Sequence, residues 1–422
     1  MSNPRASKLL AARAAAAALH LALIAAASHA GVYALATDQQ APAARAPLAA
    51  PATRTDFVRA YLRFERTLAD AKTAPTGPRR VTLHRGFDDL AGDFLRGDTA
   101  GAIARLEALT RTIDPQAPAL DLPPRTALAR PANELRASLS RRLDLALAAH
   151  PELRLPADAA RSRIGLIVDE FNENITIQLL SDPAVIAREV AAEIDTLAAG
   201  TNPYQRRLGD WWRSIHVSDG LDLPTRIFAP DAASFARRPP LPLVIALHGA
   251  GGDENMFMEA YGRGKLKALA QEHGFLVASP STTVLASNPL ALDALFAALH
   301  EDYGLDDRRV YLVGHSMGAG AAALLAGTRR DMIAAAACLA GGPQRAPTGP
   351  LAPMLVWGAD QDPIIPARRL RAAALDGARA ALPIEYRENA GAGHTLMVPE
   401  VLAEAVAWLL KHQRAPEPPA QP

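Results

Sequence analysis

Ser316 stands in the sequence Gly-His-Ser-Met-Gly (residues 314–318), directly after the apolar run 310–313 and before a stretch of small residues. A serine between two glycines at this spacing is typical of a sharp strand-to-helix turn that exposes a nucleophilic hydroxyl. Glycines suit such a turn because side chains at the flanking positions would clash with neighbouring backbone. The pattern therefore predicts a nucleophilic serine, and that chemistry also needs a base and an acid.

A histidine and two aspartates follow Ser316 along the chain. Asp360 and Asp362 come after the strand-like run 353–356, and His394 comes after another strand candidate. Polar residues at the carboxyl ends of strands meet at one edge of an open α/β sheet. His394 would take the serine proton and return it to the leaving group, while a carboxylate holds the imidazole in the required tautomer. Alone, the histidine could be a surface or capping residue and each aspartate a turn former. The ordered set favours a triad, with Asp362 the first candidate for the acid and Asp360 the second.

A glycine-rich sequence follows the apolar run 243–247, which is typical of a strand buried on both faces. His248 leads into Gly-Ala-Gly-Gly, and backbone N–H groups there could stabilise the negative charge that acyl transfer places on a carbonyl oxygen. The N–H of Met317, after the nucleophile, is one expected donor. Gly249 or Ala250 is the expected second donor, and the sequence leaves this choice open. A merely flexible loop is the alternative, but its position ahead of the serine motif favours an oxyanion hole.

Together these motifs resemble the α/β-hydrolase superfamily over residues of about 208 to 412. Within it they are similar to compact bacterial esterases of the polyhydroxybutyrate-depolymerase, feruloyl-esterase and dienelactone-hydrolase type. The resemblance rests on the segments 248–252, 307–318, 362–366 and 393–394. It implies ester hydrolysis through an acyl-enzyme, with the serine, acid, histidine and oxyanion residues in those roles. The sequence Asp-Pro-Ile-Ile-Pro at 362–366 matches the family and favours Asp362 over Asp360.

Apolar runs and helical stripes alternate through the segment 206–413, which predicts a mainly parallel sheet flanked by helices. The resemblance implies that this sheet has the α/β-hydrolase fold. Many members of this fold insert a lid after the strand that follows the nucleophile helix. Here only a short proline-containing loop separates Gly341 from Met354, so we expect no inserted lid. The active site should then be open, unless the amino-terminal region covers it. An open site would suit short-chain, bulky or polymer-linked esters.

The segment 56–205 has the helical periodicity of a separate, mainly helical domain, and its role is not evident. Asp182 and Pro183 mark the start of its clearest helix, which Gly200 ends. No catalytic set of residues occurs in it. Its many arginines are typical of a solvated face. The alternative is a docking surface or partial lid, because pockets often lie between domains.

Residues 1–36 combine a basic start with a long uncharged stretch of alanine and leucine. This pattern predicts a secretory signal peptide, cleaved after Ala36 or Ala30. An uncleaved membrane anchor is the alternative. The Ala/Pro-rich residues 37–55 are expected to form a linker, and residues 414–422 a disordered tail. We therefore expect an exported protein, periplasmic or extracellular, with a membrane-anchored form as the alternative.

Composition excludes several classes of function. The 45 basic and 44 acidic residues leave no bulk charge that would attract nucleic acid, and no metal or nucleotide motif occurs, so no cofactor or metal is expected. His248 has no second ligand at a suitable spacing. The lone Cys338 lies in an apolar run and indicates core packing.

The favoured function is a serine esterase acting on a small-molecule or polymer-linked ester. The alternatives are a serine peptidase of the same fold and a non-catalytic binding protein, and no pattern indicates an oligomeric state.

Overall fold

The computed structural model describes residues 52–71, 75–120, 122–123, 125–231 and 240–415. The predicted signal peptide or anchor, nearly all of the predicted linker and most of the predicted tail lie outside these residues. Among the residues described, no helix has both the length and the apolar character needed to span a bilayer.

Seven α-helices precede the first strand in the described part of the chain, as the periodicity predicts. At the start of the last of these helices, Asp182 has extended backbone angles and its side chain caps the helix, and Pro183 occupies the first turn. Gly200 follows the end of this helix with a φ of 75°. The helices are α1 Arg54–Asp70, α2 Gly77–Leu95, α3 Thr99–Ile113, α4 Ala132–Ala149, α5 Arg154–Ile164, α6 Thr176–Leu180 and α7 Pro183–Ala198.

Eight strands then form one sheet in the order β1-β2-β4-β3-β5-β6-β7-β8. β2 pairs antiparallel with both β1 and β4, and every other neighbouring pair is parallel. The strands are β1 Gly209–Ser218, β2 Leu221–Ala229, β3 Leu241–Leu247, β4 Leu276–Pro280, β5 Leu305–His315, β6 Ala335–Leu339, β7 Met354–Ala359 and β8 Ile384–Asn389.

Helices cover both faces of this sheet, so its central strands are buried along their whole length. The 340–353 loop between β6 and β7 contains no helix, so no lid is inserted there. The predicted α/β-hydrolase fold without an inserted lid is confirmed. The flanking helices are α8 Met256–Glu259, α9 Tyr261–His273, α10 Thr282–Ser287, α11 Ala291–Tyr303, α12 Met317–Thr328, α13 Ala367–Arg379 and α14 Met397–Leu409.

The amino-terminal helices pack against this half of the chain in two groups. α4, α5 and α7 share one hydrophobic core with the sheet, in which Leu143 and Val190 lie in the same cluster as Ile215. α1, α2 and α3 form a second cluster with Ala260 and Leu396, close to the carboxyl edge of the sheet. Because apolar contacts cross the predicted boundary near residue 206, the division into separate helical and catalytic domains stays a prediction.

Candidate active site

Ser316 lies at the junction of β5 and α12, with a φ of 54° and a ψ of −115°. This backbone conformation is costly for a residue with a side chain and occurs where surrounding structure enforces it. A Cβ at Gly314 would overlap the backbone of Gly318, and a Cβ at Gly318 would overlap the backbone of Leu247. The two glycines therefore allow the strand and helix to approach closely enough to hold Ser316 in the strained turn.

Ser316, His394 and Asp362 form one hydrogen-bonded chain. His394 Nε2 lies 2.9 Å from Ser316 Oγ, and His394 Nδ1 lies 2.7 Å from Asp362 Oδ2. The other carboxylate oxygen of Asp362 accepts backbone N–H bonds from Ile364 and Ile365, both at 2.8 Å. Asp362 and His394 are buried, with exposures of 7% and 3%. This geometry places the Nδ1 proton towards the carboxylate and the Nε2 lone pair towards the serine hydroxyl.

Asp360, the second candidate for the acid, lies outside this chain of hydrogen bonds. Its carboxylate is exposed and accepts a 2.6 Å bond from the backbone N–H of Gly391. Asp360 thus closes a turn between the loops that follow β7 and β8. The structure brings together Asp362, and not Asp360, with His394.

The glycine-rich loop after β3 passes directly beside Ser316. A Cβ at Gly249 would lie 2.9 Å from His315 Nδ1 and 3.2 Å from the Ser316 side chain, so a residue with a side chain there would have to move the loop. Gly249 and Ala250 both line the cavity that contains Ser316, and both stay candidates for the loop's oxyanion donor. Met317 begins α12, where a first-turn N–H has no partner within the helix and can act as the other donor.

His248 has both ring nitrogens engaged with backbone. Nδ1 donates to the Gly249 carbonyl at 2.9 Å, and Nε2 accepts from the Thr282 N–H at 3.0 Å. Burial lowers the pKa of His248, which agrees with a neutral ring between one donor and one acceptor. His248 therefore fixes the glycine-rich loop against the start of α10.

His315 contacts the backbone of His394. Its Nε2 lies 3.2 Å from the His394 carbonyl oxygen, and its Nδ1 lies 2.7 Å from the Tyr261 hydroxyl. Burial, together with the neighbouring His394, lowers the pKa of His315 well below its usual value, so the ring is neutral. Nε2 is then the donor to the carbonyl, and Tyr261 donates to Nδ1. The sequence motif fixes no residue type at position 315, so sequence reasoning did not identify this role.

Helix α2 contacts the loop that carries His394. The buried Asp88 carboxylate accepts the backbone N–H of His394 at 3.0 and 3.1 Å from its two oxygens, and His84 Nδ1 accepts the N–H of Gly393 at 2.9 Å. A Cβ at Gly393 would overlap Asp88. Burial raises the pKa of Asp88, although the hydrogen bond from His394 opposes the rise. Sequence reasoning missed Asp88 because about 300 residues separate it from the loop that it holds.

An ion-pair cluster extends the same contact. Arg80 donates to Glu400 from Nε at 2.9 Å and to Asn389 Oδ1 at 3.0 Å, and His84 Nε2 lies 3.1 Å from Glu400. Although burial opposes it, hydrogen bonds from His84 and Arg80 lower the pKa of Glu400 to about 2. Helix α2 therefore contacts the segment 389–400 at its start, its middle and its end.

A cavity of about 200 Å³ opens beside the triad. It is lined by Ser316, His394 and the glycine-rich loop, together with residues of α1, α2 and α6. The sequence left open a cover from the amino-terminal region, and helices of that region contribute residues to the lining of this cavity.

Among the described residues, no group of three His, Cys, Asp or Glu side chains is placed to hold a metal ion. Cys338 lies fully buried in β6, and burial raises the pKa of its thiol to about 12. Cys338 belongs to the hydrophobic core that the sheet shares with α4, α5 and α7, and it does not line the cavity.

No protein-family model and no curated protein matches the sequence. Three of the similar solved structures are a thermostable esterase, the fluorophosphonate-binding serine hydrolase FphF of Staphylococcus aureus and a ferulic acid esterase. Their identities to this chain are 23%, 17% and 14%, each with a TM-score of 0.40. The matches cover 48–49% of this chain, together with 63% of the thermostable esterase and 99% of each of the other two. At these identities the likeness concerns the fold and leaves the substrate open.

Proposed function

We propose that this protein is a serine hydrolase that cleaves carboxylic esters through an acyl-enzyme formed on Ser316. The observation that carries the proposal is the chain of hydrogen bonds from Asp362 through His394 to Ser316, at 2.7 and 2.9 Å. A buried acid, an oriented base and a serine in a strained turn are the three parts that nucleophilic serine catalysis requires.

In the proposed mechanism, His394 Nε2 removes the hydroxyl proton as Ser316 Oγ attacks the ester carbonyl. The oxyanion that forms is stabilised by the backbone N–H group of Met317 and by that of Gly249 or Ala250. His394 then gives its proton to the departing alkoxide, which leaves as the alcohol. A water molecule attacks the acyl-enzyme with the same base, releasing the acid and restoring Ser316.

Asp362 acts on the imidazole in both steps. Its carboxylate is held by the N–H groups of Ile364 and Ile365, so it does not rotate away from His394. It stabilises the imidazolium that forms when His394 takes the serine proton, and it enforces the tautomer in which Nε2 is free to accept that proton.

The test is hydrolysis of a panel of simple esters and matched peptide amides by the wild type and by Ser316→Ala. We expect ester turnover in the wild type and a loss on the order of 10⁴ to 10⁶ in kcat for the variant. Ser287→Ala is the matched control, because Ser287 is exposed on α10 and its hydroxyl bonds only the nearby Val284 carbonyl. Ester turnover that survives in Ser316→Ala would exclude Ser316 as the nucleophile. Amide hydrolysis that exceeds ester hydrolysis would instead identify the protein as a peptidase.

We also propose that the protein is exported, with residues 1–36 as a cleaved signal peptide. The basic start and the uncharged alanine-rich stretch support this proposal. Amino-terminal sequencing of the protein from soluble and membrane fractions tests it. A new terminus after Ala36 or Ala30 in the soluble fraction is expected, whereas an intact terminus in the membrane fraction would indicate an anchor instead.

A further inference from the structure

We propose that helices α1 and α2 set the substrate class, and that the enzyme prefers esters with one apolar substituent about the size of a single aromatic ring. This inference rests on the proposed function, because it concerns the substrate of the same site. The inference is drawn from the cavity beside Ser316, because residues of the amino-terminal helices form much of the lining of that cavity, here called the wall.

The wall is apolar and comes from one face of each helix. In α1 the lining residues recur at three- and four-residue intervals, the spacing of a single helical face. This face is buried in apolar clusters with α2 and α6, and it also lines the cavity that contains Ser316 and His394. Large apolar lining residues include Phe57, Val58, Tyr61 and Leu62 of α1, Phe87 and Leu90 of α2, Leu180 of α6, and Met256 and Ile364 of the catalytic half.

The aromatic part of this wall is itself packed. The rings of Phe57 and Tyr61 are stacked with centroids 6.1 Å apart, and the rings of Tyr61 and Phe87 are 5.9 Å apart. Offset and tilted ring pairs at these distances are favourable arrangements. The edge of an aromatic substituent would therefore meet rings that already hold one another in place.

The charged side chains that line the cavity are paired within the protein, and Glu259 lies 2.8 Å from Arg226 outside the lining. Arg54 Nη2 lies 3.8 Å from an Asp253 carboxylate oxygen, and Asp253 lines the same cavity from the glycine-rich side. This pairing offsets the charge of Arg54 at the rim and leaves the cavity without a strong preference for an anionic substituent. An uncharged apolar group fits the lining best.

The volume sets an upper size. A protein cavity of roughly 150 Å³ lined by apolar side chains holds benzene, and drug-sized ligands occupy pockets of roughly 300–1,000 Å³. The cavity here is about 200 Å³. One ring, or a chain of about six carbons, therefore fills it, while a twelve-carbon chain exceeds it.

Polar contacts hold the wall in place, which makes the cavity preformed. Glu65 of α1 accepts the backbone N–H of Gly262 at 2.9 Å, and Arg263 pairs with Asp70 at 2.7 Å. Asp88 of α2 holds the His394 loop, as described above. A wall fastened at these points should discriminate between substituents by size.

Two series of esters test the inference, and the hydrolysis of each ester is measured as proton release at constant pH. One series contains methyl esters of acetic, butanoic, hexanoic, benzoic and dodecanoic acids, and the other contains acetates of methanol, hexanol, benzyl alcohol and dodecanol. In at least one series, we expect kcat/KM for the six-carbon or ring member to exceed that of the smallest member by about tenfold or more, because burial adds roughly 0.8 kcal/mol per CH₂. The dodecyl member should fall below this maximum. The series that shows the maximum identifies which side of the ester enters the cavity.

Two variants of the wall should shift the size preference in opposite directions. Val58→Trp fills the cavity and should lower the ring-to-methyl ratio of kcat/KM by about tenfold. Phe57→Ala enlarges the cavity and should move the maximum of kcat/KM towards esters with longer chains. This second variant tests the inference even if Val58→Trp does not fold. Leu145→Trp is the matched control, since Leu145 is 73% exposed on α4 and is absent from the cavity lining.

Labelling of Ser316 by a small alkyl fluorophosphonate distinguishes a failure of this inference from a failure of the proposed function. If the folded wall variants label but keep the wild-type size preference, or if the wild type prefers the dodecyl esters, the inference about the helices is wrong and the hydrolase function stands. If the wild type neither labels nor hydrolyses any ester in either series, the proposed function itself is wrong.

Discussion

Replacement of Asp88 by alanine should damage catalysis even though Asp88 lies in the amino-terminal helices and outside the cavity lining. Its carboxylate accepts the backbone N–H of His394 at 3.0 and 3.1 Å and lies 7% exposed. Removing it leaves that buried N–H without its charged acceptor, at a cost of about 1.5 to 3 kcal/mol in the free energy of unfolding. It also frees the loop that sets the distance from His394 Nε2 to Ser316. A displacement of roughly 1 Å at a catalytic group can lower turnover about 100-fold.

The assay is steady-state hydrolysis of one soluble ester by purified Asp88→Ala, together with urea unfolding. We expect kcat to fall by about 100-fold with little change in KM, since Asp88 positions the base and does not touch the substrate. Asp88→Asn retains one oxygen acceptor and should recover part of the loss. Asp89→Ala removes the same group from the next, exposed position of α2 and serves as the matched control. A folded Asp88→Ala enzyme with kcat within threefold of the wild type would refute the reasoning.

Three further predictions follow from other contacts. Asp362→Asn should lower kcat by about 10⁴ because it disrupts the tautomer of His394, whereas Asp360→Asn should change it by less than about threefold; a reversed ranking in ester turnover would reassign the acid. Burial raises the pKa of Glu65 from 4.5 to about 6, so its ionised form is disfavoured in the folded state, and this residue's contribution to stability is lost as pH rises through that range. Glu65→Gln should therefore gain about 2 kcal/mol in unfolding free energy relative to the wild type between pH 4 and pH 8, and urea titrations that show no pH-dependent difference would contradict this. Cys338 should resist iodoacetamide in the native protein and react after unfolding, as mass spectrometry can show; rapid native labelling would mean that the thiol is accessible.

Local signals were sufficient for the sheet and for the residues that meet at its edge. β3 and the buried part of β5 at residues 310–313 could be predicted because strands buried on both faces are continuous apolar runs. The turn at Ser316 could be predicted because only glycines fit where its neighbours meet the backbone. The lack of an inserted lid followed from the length of one loop. Each of these features depends on residues that are close together in the chain.

Tertiary contacts made the remaining features unpredictable. The face of α1 that carries Phe57 and Tyr61 has the periodicity of any core-facing helix, and nothing local shows that it lies across from Ser316. Asp88 and His84 accept N–H groups from a loop about 300 residues later in the chain. The possibility of a partial lid was recognised from the chain's organisation, but the helices that form the wall and the residues that fasten it required the structure.

The central claim, that Ser316 is an activated nucleophile, is tested most directly by intact-mass analysis after incubation with a small fluorophosphonate. The wild type should gain one adduct, and peptide mapping should place it on Ser316. Labelling should slow strongly in His394→Ala and be absent in Ser316→Ala. An unlabelled wild type, under conditions that label a control serine esterase, or an adduct on another residue would contradict the account.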